Sequence, residues 1–191
     1  MVYLQHSIIV VRRCGKIENT HAGGVMPSET REAAARYHRR ALLETADRLL
    51  TAYGYDGMNM NLLAKEAGYS KATVYVYMES KEEIVRLLSI ERLKLMRKEL
   101  ALVVKNDMST EEKFAEIKSV FDEFYNEDRV YFDFICASAH ADENGSDSER
   151  ELSALVDGIL ADLTTLAPEP ELRRRWYYYY GRIKTGGMFG A

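Results

Sequence analysis

The sequence predicts an all-α protein, in which a three-helix helix-turn-helix unit precedes a second helical bundle. Apolar residues recur at spacings of three and four along most of the 191-residue chain, which is the period of a helix that buries one face. Only three prolines interrupt this pattern. Gly68 also separates two short helical patterns, and glycine is favoured where a helix ends in a left-handed turn.

The N-terminal helix-turn-helix domain is predicted over residues 28–80, after a Gly-rich arm at residues 1–27 that we expect to be disordered. The first helix should run from Ser28 to Ala52, before a turn at Gly54–Tyr55. Asn59 can cap a second helix that ends at Ala67, because an Asn side chain accepts hydrogen bonds from the free amides of a first turn.

The third helix, from Ser70 to Met78, has the features of a DNA recognition helix. Val74 and Met78 should point inward at a spacing of four, whereas polar and aromatic side chains remain outward. Such a helix places side chains against base edges while its neighbours hold phosphates. The predicted DNA-contacting residues are Asn59, Asn61, Lys71, Thr73, Tyr75, Tyr77 and Lys81. Lys71, Thr73 and Tyr75 are assigned to bases or nearby phosphates, and Asn61, Tyr77 and Lys81 to the backbone.

A fourth helix should begin after Ser80 and last to about Lys105. Ser80–Glu83 matches a capping box, in which the Ser and Glu side chains satisfy each other's backbone amides. Its apolar stripe is predicted from a set of residues with helical spacing: Ile84, Leu87, Leu88, Leu95 and Leu102. This helix links the first domain to a C-terminal helical domain at residues 81–191.

The C-terminal domain is rich in aromatic residues. One helix should end near Asn126 and a nearly all-apolar segment follows at 131–136, while 142–147 is a polar break. A further helix should stop at Pro168 and Pro170, and a last one is predicted over 171–184. The aromatic run 176–180 cannot all face one side of a helix, and we interpret it first as a dimer contact.

At this point the chain resembles a known family. Several residues follow the TetR signature in order and spacing: Ala64, Ala67, Gly68, Ser70, Thr73, Val74, Tyr75, Tyr77, Ser80, Lys81 and Glu82. The whole pattern runs from about Leu42 to Ile84. Met78 stands where the family usually has Phe, and Asn59 where it usually has a Thr cap, and both changes conserve the role of the residue.

The resemblance implies a transcriptional repressor that binds double-stranded operator DNA as a homodimer and is released by a small organic effector. In the family, the linker helix moves when ligand binds and changes the separation of the two DNA-binding domains. We expect such a ligand to contact a set of aromatic residues: Phe121, Phe124, Tyr125, Tyr131, Phe134, His140 and Tyr178. For any one of these residues, simple core packing is the alternative.

Composition is consistent with a cytoplasmic regulator and argues against other classes. Residues 36–100 carry 12 Lys and Arg against 9 Asp and Glu, whereas residues 101–191 carry 10 against 18. The helix-turn-helix domain is thus mildly basic and the C-terminal domain is acidic. This charge distribution disfavours non-specific binding to nucleic-acid phosphates. The two cysteines do not suggest a disulfide framework. The four histidines are scattered, so we expect no metal site, no cofactor and no catalytic residues, and no apolar run is long enough to span a membrane.

Two other functions remain open. A helical small-molecule carrier or dimeric interaction module can keep this fold without reading an operator, and it would tolerate changes at Lys71, Thr73 and Tyr75. An activator or other DNA-bound regulator without a ligand would instead have its pocket filled by its own aromatic side chains.

Overall fold

The computed structural model of the chain describes residues 28–138, 145–164 and 166. Seven helices and no strand occur in these ranges, which confirms the all-α fold class. The helices are α1 (Ser28–Gly57), α2 (Met60–Ala67), α3 (Lys71–Tyr77), α4 (Lys81–Lys105), α5 (Thr110–Glu127), α6 (Arg129–Ser138) and α7 (Asp147–Thr164). We call α1–α3 the reader unit and α4–α7 the bundle. The arm at 1–27 and the helix predicted at 171–184 lie outside the described residues.

Serine and asparagine side chains set the starts of the middle helices, as their sequence positions predict. Asn59 caps α2, Ser70 caps α3 and Ser80 caps α4. The capping box predicted at Ser80 is only half formed, because the Glu83 carboxylate accepts from the Glu79 amide instead of the Ser80 amide. That carboxylate also pairs with Arg39 of α1 at 3.2 Å, which holds it away from its own cap residue.

The end of α1 differs from the prediction. The helix continues to Gly57 rather than ending at Ala52, but Gly54 interrupts it with φ +70° and ψ −179°. This backbone conformation is accessible almost only to glycine. The turn predicted at Gly54–Tyr55 is therefore confirmed as a sharp kink, and one further helical turn follows it.

The stripe predicted along α4 is wrong in its second half. Ile84 and Leu88 are buried, but Leu95 is 52% exposed and Leu102 is 70% exposed. Beyond Leu88, α4 buries Leu93, Met96 and Leu100 instead. These three side chains lie roughly a third of a turn around the helix from Leu88. The reason is a change of neighbour.

The early turns of α4 face the reader unit, where Leu88 and Leu43 of α1 line the same groove. The later turns face α5, α6 and α7, where Leu93 and Met96 line a cavity with residues of all three helices. A spacing of seven residues predicts an apolar stripe along a helix. It does not predict which part of that stripe is covered by another helix.

The bundle packs α5, α6 and α7 around α4. Its buried residues include Ile117, Phe121, Tyr131, Ile135 and Val156, so the apolar segment predicted at 131–136 is central as expected. Ion pairs line the contact of α4 with α7: Arg86 with Glu149 at 2.8 Å and Arg97 with Asp162 at 2.7 Å. Among the described helices, none is both long and apolar enough to cross a membrane.

Candidate nucleic-acid interface and apolar cavity

The turn between α2 and α3 is fixed by backbone and capping hydrogen bonds. The Asn59 side chain accepts from the amides of Asn61 at 3.1 Å and Leu62 at 3.0 Å. At the other end of α2, Gly68 adopts φ +74°, ψ 25°, and the Tyr69 amide donates to the Ala64 carbonyl at 2.9 Å. This left-handed closure satisfies the last carbonyls of α2 and sets the direction in which α3 leaves.

The orientation of α3 follows from one buried face and one cap. Val74 and Met78 are fully buried, which confirms that they point inward. Ser70 accepts from the Thr73 amide at 3.0 Å, and the two hydroxyls lie 2.8 Å apart. On the opposite face, Lys71 is exposed, Tyr75 is 46% exposed and Val76 is 75% exposed.

An aromatic group fastens α3 to α1. His38 Nδ1 lies 2.7 Å from the Tyr69 hydroxyl, and the His38 ring centroid is 5.2 Å from that of Tyr77. Burial raises the pKa of Tyr69, so its hydroxyl stays protonated and able to donate. Tyr69 stands in the turn and Tyr77 at the end of α3, so both ends of this short helix are held by one residue of α1.

Lys81 lies at the first turn of α4 with its charge over an aromatic ring. Its Nζ is 3.8 Å from the centroid of Tyr55, and the Tyr55 hydroxyl donates to Glu82 at 2.9 Å. Burial, followed by the hydrogen bond to Glu82, raises the pKa of Tyr55 to about 12. Backbone hydrogen bonding and the Tyr55 hydroxyl lower the pKa of Glu82, so this carboxylate is charged at neutral pH beside Lys81.

The bundle contains a partly open apolar cavity with about 10 Å³ of free volume, enough for one water-sized molecule. The residues that line it belong to all four bundle helices: Leu93, Met96, Phe121, Phe124, Phe132, Ile135, Cys136, Val156 and Ile159. Their side chains present carbon and two sulfur atoms. The cavity is therefore suited to an apolar group, but the surrounding side chains must move to admit one.

Comparisons with known proteins identify the helix-turn-helix region. Residues 42–88 match the family described as "Bacterial regulatory proteins, tetR family". The matched region contains α2, α3, both their caps and the start of α4. Residues 42–88 are therefore those of a TetR-type helix-turn-helix region.

Solved structures that include a TetR-family regulator share the fold. The regulator PfmR from Thermus thermophilus is 21% identical, with a TM-score of 0.52 over 75% of this chain and 82% of that one. FadR from Bacillus subtilis, solved in complex with stearoyl-CoA, is 18% identical with a TM-score of 0.52 over 75% and 82%. AibR, solved with isovaleryl coenzyme A and operator DNA, is 17% identical with a TM-score of 0.52 over 80% and 88%. Comparison of the sequence with curated proteins gives no match.

The predicted DNA-contacting residues of this TetR-type region fall into two groups. Asn61 is exposed in the first turn of α2, and Lys71 and Tyr75 are exposed on α3. The side chains of Asn59, Thr73 and the half-buried Tyr77 and Lys81 have intramolecular partners, described above. Val76 is an outward residue that sequence reasoning missed, because its apolar character suggested no surface role.

The predicted ligand-contacting aromatics are not all in one place. Phe121 and Phe124 line the cavity, whereas the Tyr125 hydroxyl accepts from Arg129. Tyr131 and Phe134 face α1: the Tyr131 hydroxyl donates to Asp47, and the Phe134 ring lies 6.5 Å from that of Tyr55. His140 and Tyr178 lie outside the described residues.

Several cavity residues were missed by the sequence analysis. Phe132 was counted only as part of an apolar segment, and the aliphatic residues carried no signal that distinguishes a cavity from ordinary core. In the described part of the chain, no group of three His, Cys, Asp or Glu side chains is arranged to bind a metal. The family and the structures compared above are transcription regulators rather than enzymes.

Proposed function

We propose that this chain is a sequence-specific DNA-binding transcriptional regulator, a repressor that a small organic effector releases from its operator. The observation that carries the proposal is the α2–α3 unit, in which Gly68 and Ser70 fix a recognition helix whose outward face presents Lys71 and Tyr75. The family match over residues 42–88 supports it. A homodimer is expected, because two-fold proteins gain affinity by placing paired recognition helices in successive major grooves.

The proposed role of each residue in DNA binding depends on whether its side chain is exposed or already bonded within the protein. Of the three residues assigned to bases and nearby phosphates, Lys71 and Tyr75 are exposed, with the Lys71 Nζ 5.9 Å from the Tyr75 ring centroid. The third, Thr73, is half-buried, and its hydroxyl lies 2.8 Å from that of Ser70. Thr73 and Tyr77 position α3, because one bonds its cap and the other packs on His38. To contact a phosphate, the Lys81 ammonium group must move away from the Tyr55 ring or interact with the ring and the phosphate at the same time.

The first test is selection of bound sequences from random duplex DNA by purified protein, at a salt concentration near 150 mM, where bare phosphate attraction is damped. A palindromic consensus is the expected result. The selected operator is then titrated with Lys71→Ala, which we expect to weaken binding by about 1–3 kcal/mol if Lys71 contacts a base.

The matched control is Lys98→Ala. Lys98 is exposed on α4 and its loss changes the net charge by the same amount, so it should leave operator affinity within about twofold. If both variants weaken binding equally, net charge and not the α3 face controls affinity. If folded wild-type protein enriches no sequence, the carrier or interaction-module function takes the place of the repressor.

The effector is expected to have an apolar body, since the cavity lining offers it no charged group. Acyl-CoA esters are the first probes, because FadR and AibR were solved with stearoyl-CoA and isovaleryl coenzyme A. Each probe, with unesterified coenzyme A as control, is tested for a shift in melting temperature and for release of the operator. A ligand at a hundred times its Kd stabilises the folded state by about 2.7 kcal/mol.

A second candidate function is a regulator that takes no ligand. The small free volume of about 10 Å³ favours it, because the aromatic side chains already fill the space that an effector would occupy. In that case the selected operator is bound tightly, and none of the probes shifts the melting temperature or releases the DNA.

A further inference from the structure

A half-buried polar cluster joins the reader unit to the bundle. The Arg92 Nη2 of α4 donates to both carboxylate oxygens of Asp47 in α1, at 3.0 and 3.1 Å. The Arg92 Nε lies 3.1 Å from a carboxylate oxygen of Asp128, at the junction of α5 and α6. The Tyr131 hydroxyl of α6 donates to the same Asp47 carboxylate. Two side chains of the bundle, Arg92 and Tyr131, thus bond one carboxylate of α1, and Asp128 lies on the other side of Arg92.

Burial makes these contacts costly to leave unpaired. The side chains of Arg92 and Asp128 are only 32% and 27% exposed, and Tyr131 is 3% exposed. Burial and the nearby charge of Asp47 raise the pKa of Asp128, despite the opposing effect of Arg92. Burial and Asp47 also raise the pKa of Tyr131. A partly buried charge that loses its partner is destabilising, although by less than a fully buried one, so these contacts favour one arrangement of the four groups.

Close apolar packing between α1 and α4 is interrupted beside this cluster. A groove of about 580 Å³ separates α1 from α4 beside it, and Asp47 and Arg92 are among its lining residues. The bonds of Asp47 to Arg92 and Tyr131 therefore define the distance of α1 from α4 and α6 at this level. The ring contact of Tyr55 with Phe134, two turns further along α1, supplements the bond between α1 and Tyr131.

The cluster also adjoins the apolar cavity. Phe132 and Ile135 of α6 line the cavity, and Tyr131 precedes Phe132 on the same helix. Phe124 of α5 lines it too, and its carbonyl accepts the amide of Asp128 one turn later at 3.0 Å. A group that enters the cavity must push these rings outward, and it then moves the helices that carry Tyr131 and Asp128.

We propose that Asp47, Arg92, Asp128 and Tyr131 form an interdomain latch, which holds the reader unit at the angle that binds the operator. The latch rests on the proposed function. It is closed when the cavity is closed, and expansion of the cavity withdraws Tyr131 and Asp128 from Asp47 and Arg92. The four residues are positioning residues, since they act on DNA through α1 and not by contact.

The test compares Tyr131→Phe with Tyr53→Phe. Both changes remove one phenol hydroxyl, but Tyr53 is 62% exposed on α1. Operator affinity of Tyr131→Phe should fall about 5- to 150-fold, the usual range for coupling between sites, while Tyr53→Phe binds as the wild type does. The second variant is Asp47→Asn, which keeps one acceptor oxygen. Its operator affinity should also fall.

Hydrogen exchange without DNA separates a latch from a general structural role. In Tyr131→Phe, exchange should rise in α1 around Asp47 and in α6, and stay unchanged in α7 and in α2–α3. An unchanged pattern, or an equal rise in every helix, overturns the latch, as does operator affinity within twofold of wild type. This measurement needs neither operator nor effector, so failure of the latch is distinguishable from failure of the wild-type protein to select DNA.

Discussion

The two glycines with positive φ provide a matched pair for testing how backbone geometry stabilises the reader unit. Gly68 lies in the left-handed helical region, with φ +74° and ψ 25°, and Gly54 lies at φ +70° and ψ −179°. A Cβ added at either position meets no atom within 4 Å. Substitution by alanine therefore measures backbone strain without a steric clash, and the two positions differ in ψ.

The expected magnitudes differ because ψ differs. An L-residue in the left-handed helical region costs about 1–2 kcal/mol, and replacing glycine returns about 0.4–1 kcal/mol by restricting the unfolded chain. Gly68→Ala should thus lower the free energy of unfolding by about 1 kcal/mol. The region of Gly54 is almost exclusive to glycine, with strain at the upper end of about 1–3 kcal/mol, so Gly54→Ala should lower it by about 2 kcal/mol.

The assay is urea unfolding followed by far-ultraviolet circular dichroism, with thermal melts as a second measure. For a chain of this size, each kcal/mol shifts the melting temperature by about 2–4 °C. Asparagine provides the control, because it tolerates the left-handed helical region. Gly68→Asn should therefore recover part of the loss, whereas Gly54→Asn should not. Equal losses for the two alanine variants, or recovery by asparagine at both sites, would refute the reasoning.

Three further predictions address packing, capping and pH. Leu93→Ala should cost about 2–5 kcal/mol, and Leu95→Ala less than about 1 kcal/mol because Leu95 is half exposed; comparable losses in urea unfolding would contradict the assignment of faces on α4. Asn59→Ala removes the cap of α2 and should cost about 1 kcal/mol in the same assay. Burial raises the pKa of Asp128, so the folded state binds a proton more readily than the unfolded chain, and this group favours folding more as pH falls through its folded-state pKa. Unfolding measured from neutral to mildly acid pH should show wild type gaining stability relative to Asp128→Asn. If the two free energies of unfolding differ by the same amount at every pH, the prediction is wrong.

Local sequence was sufficient to predict the helix-turn-helix unit. Gly68, Ser70, Val74 and Met78 act through contacts within a few residues or through a strict helical spacing, so their roles follow from the sequence order. The family resemblance, carried by the same residues, is confirmed by the match over residues 42–88.

Contacts between distant residues could not be predicted in the same way. Lys81 lies over Tyr55, and Tyr131 bonds Asp47 across 84 positions of sequence. Tyr131 was expected at a ligand because a phenol suits such a site, but a buried hydroxyl needs a partner and here finds one on α1. Leu95 and Leu102 were expected in the core because periodicity does not reveal where a covering helix ends.

The course of α4 has a consequence for where the chain can be divided. Its first turns place Ile84 and Leu88 against the reader unit, and its later turns place Leu93 and Met96 in the bundle. One helix therefore contributes to both ends of a continuous hydrophobic core. A fragment that stops at residue 80 keeps every residue of α3 but loses the wall on which the reader unit rests. The shortest autonomous DNA-binding piece should extend at least to Leu88, and heating of the whole chain should melt both parts in one cooperative step.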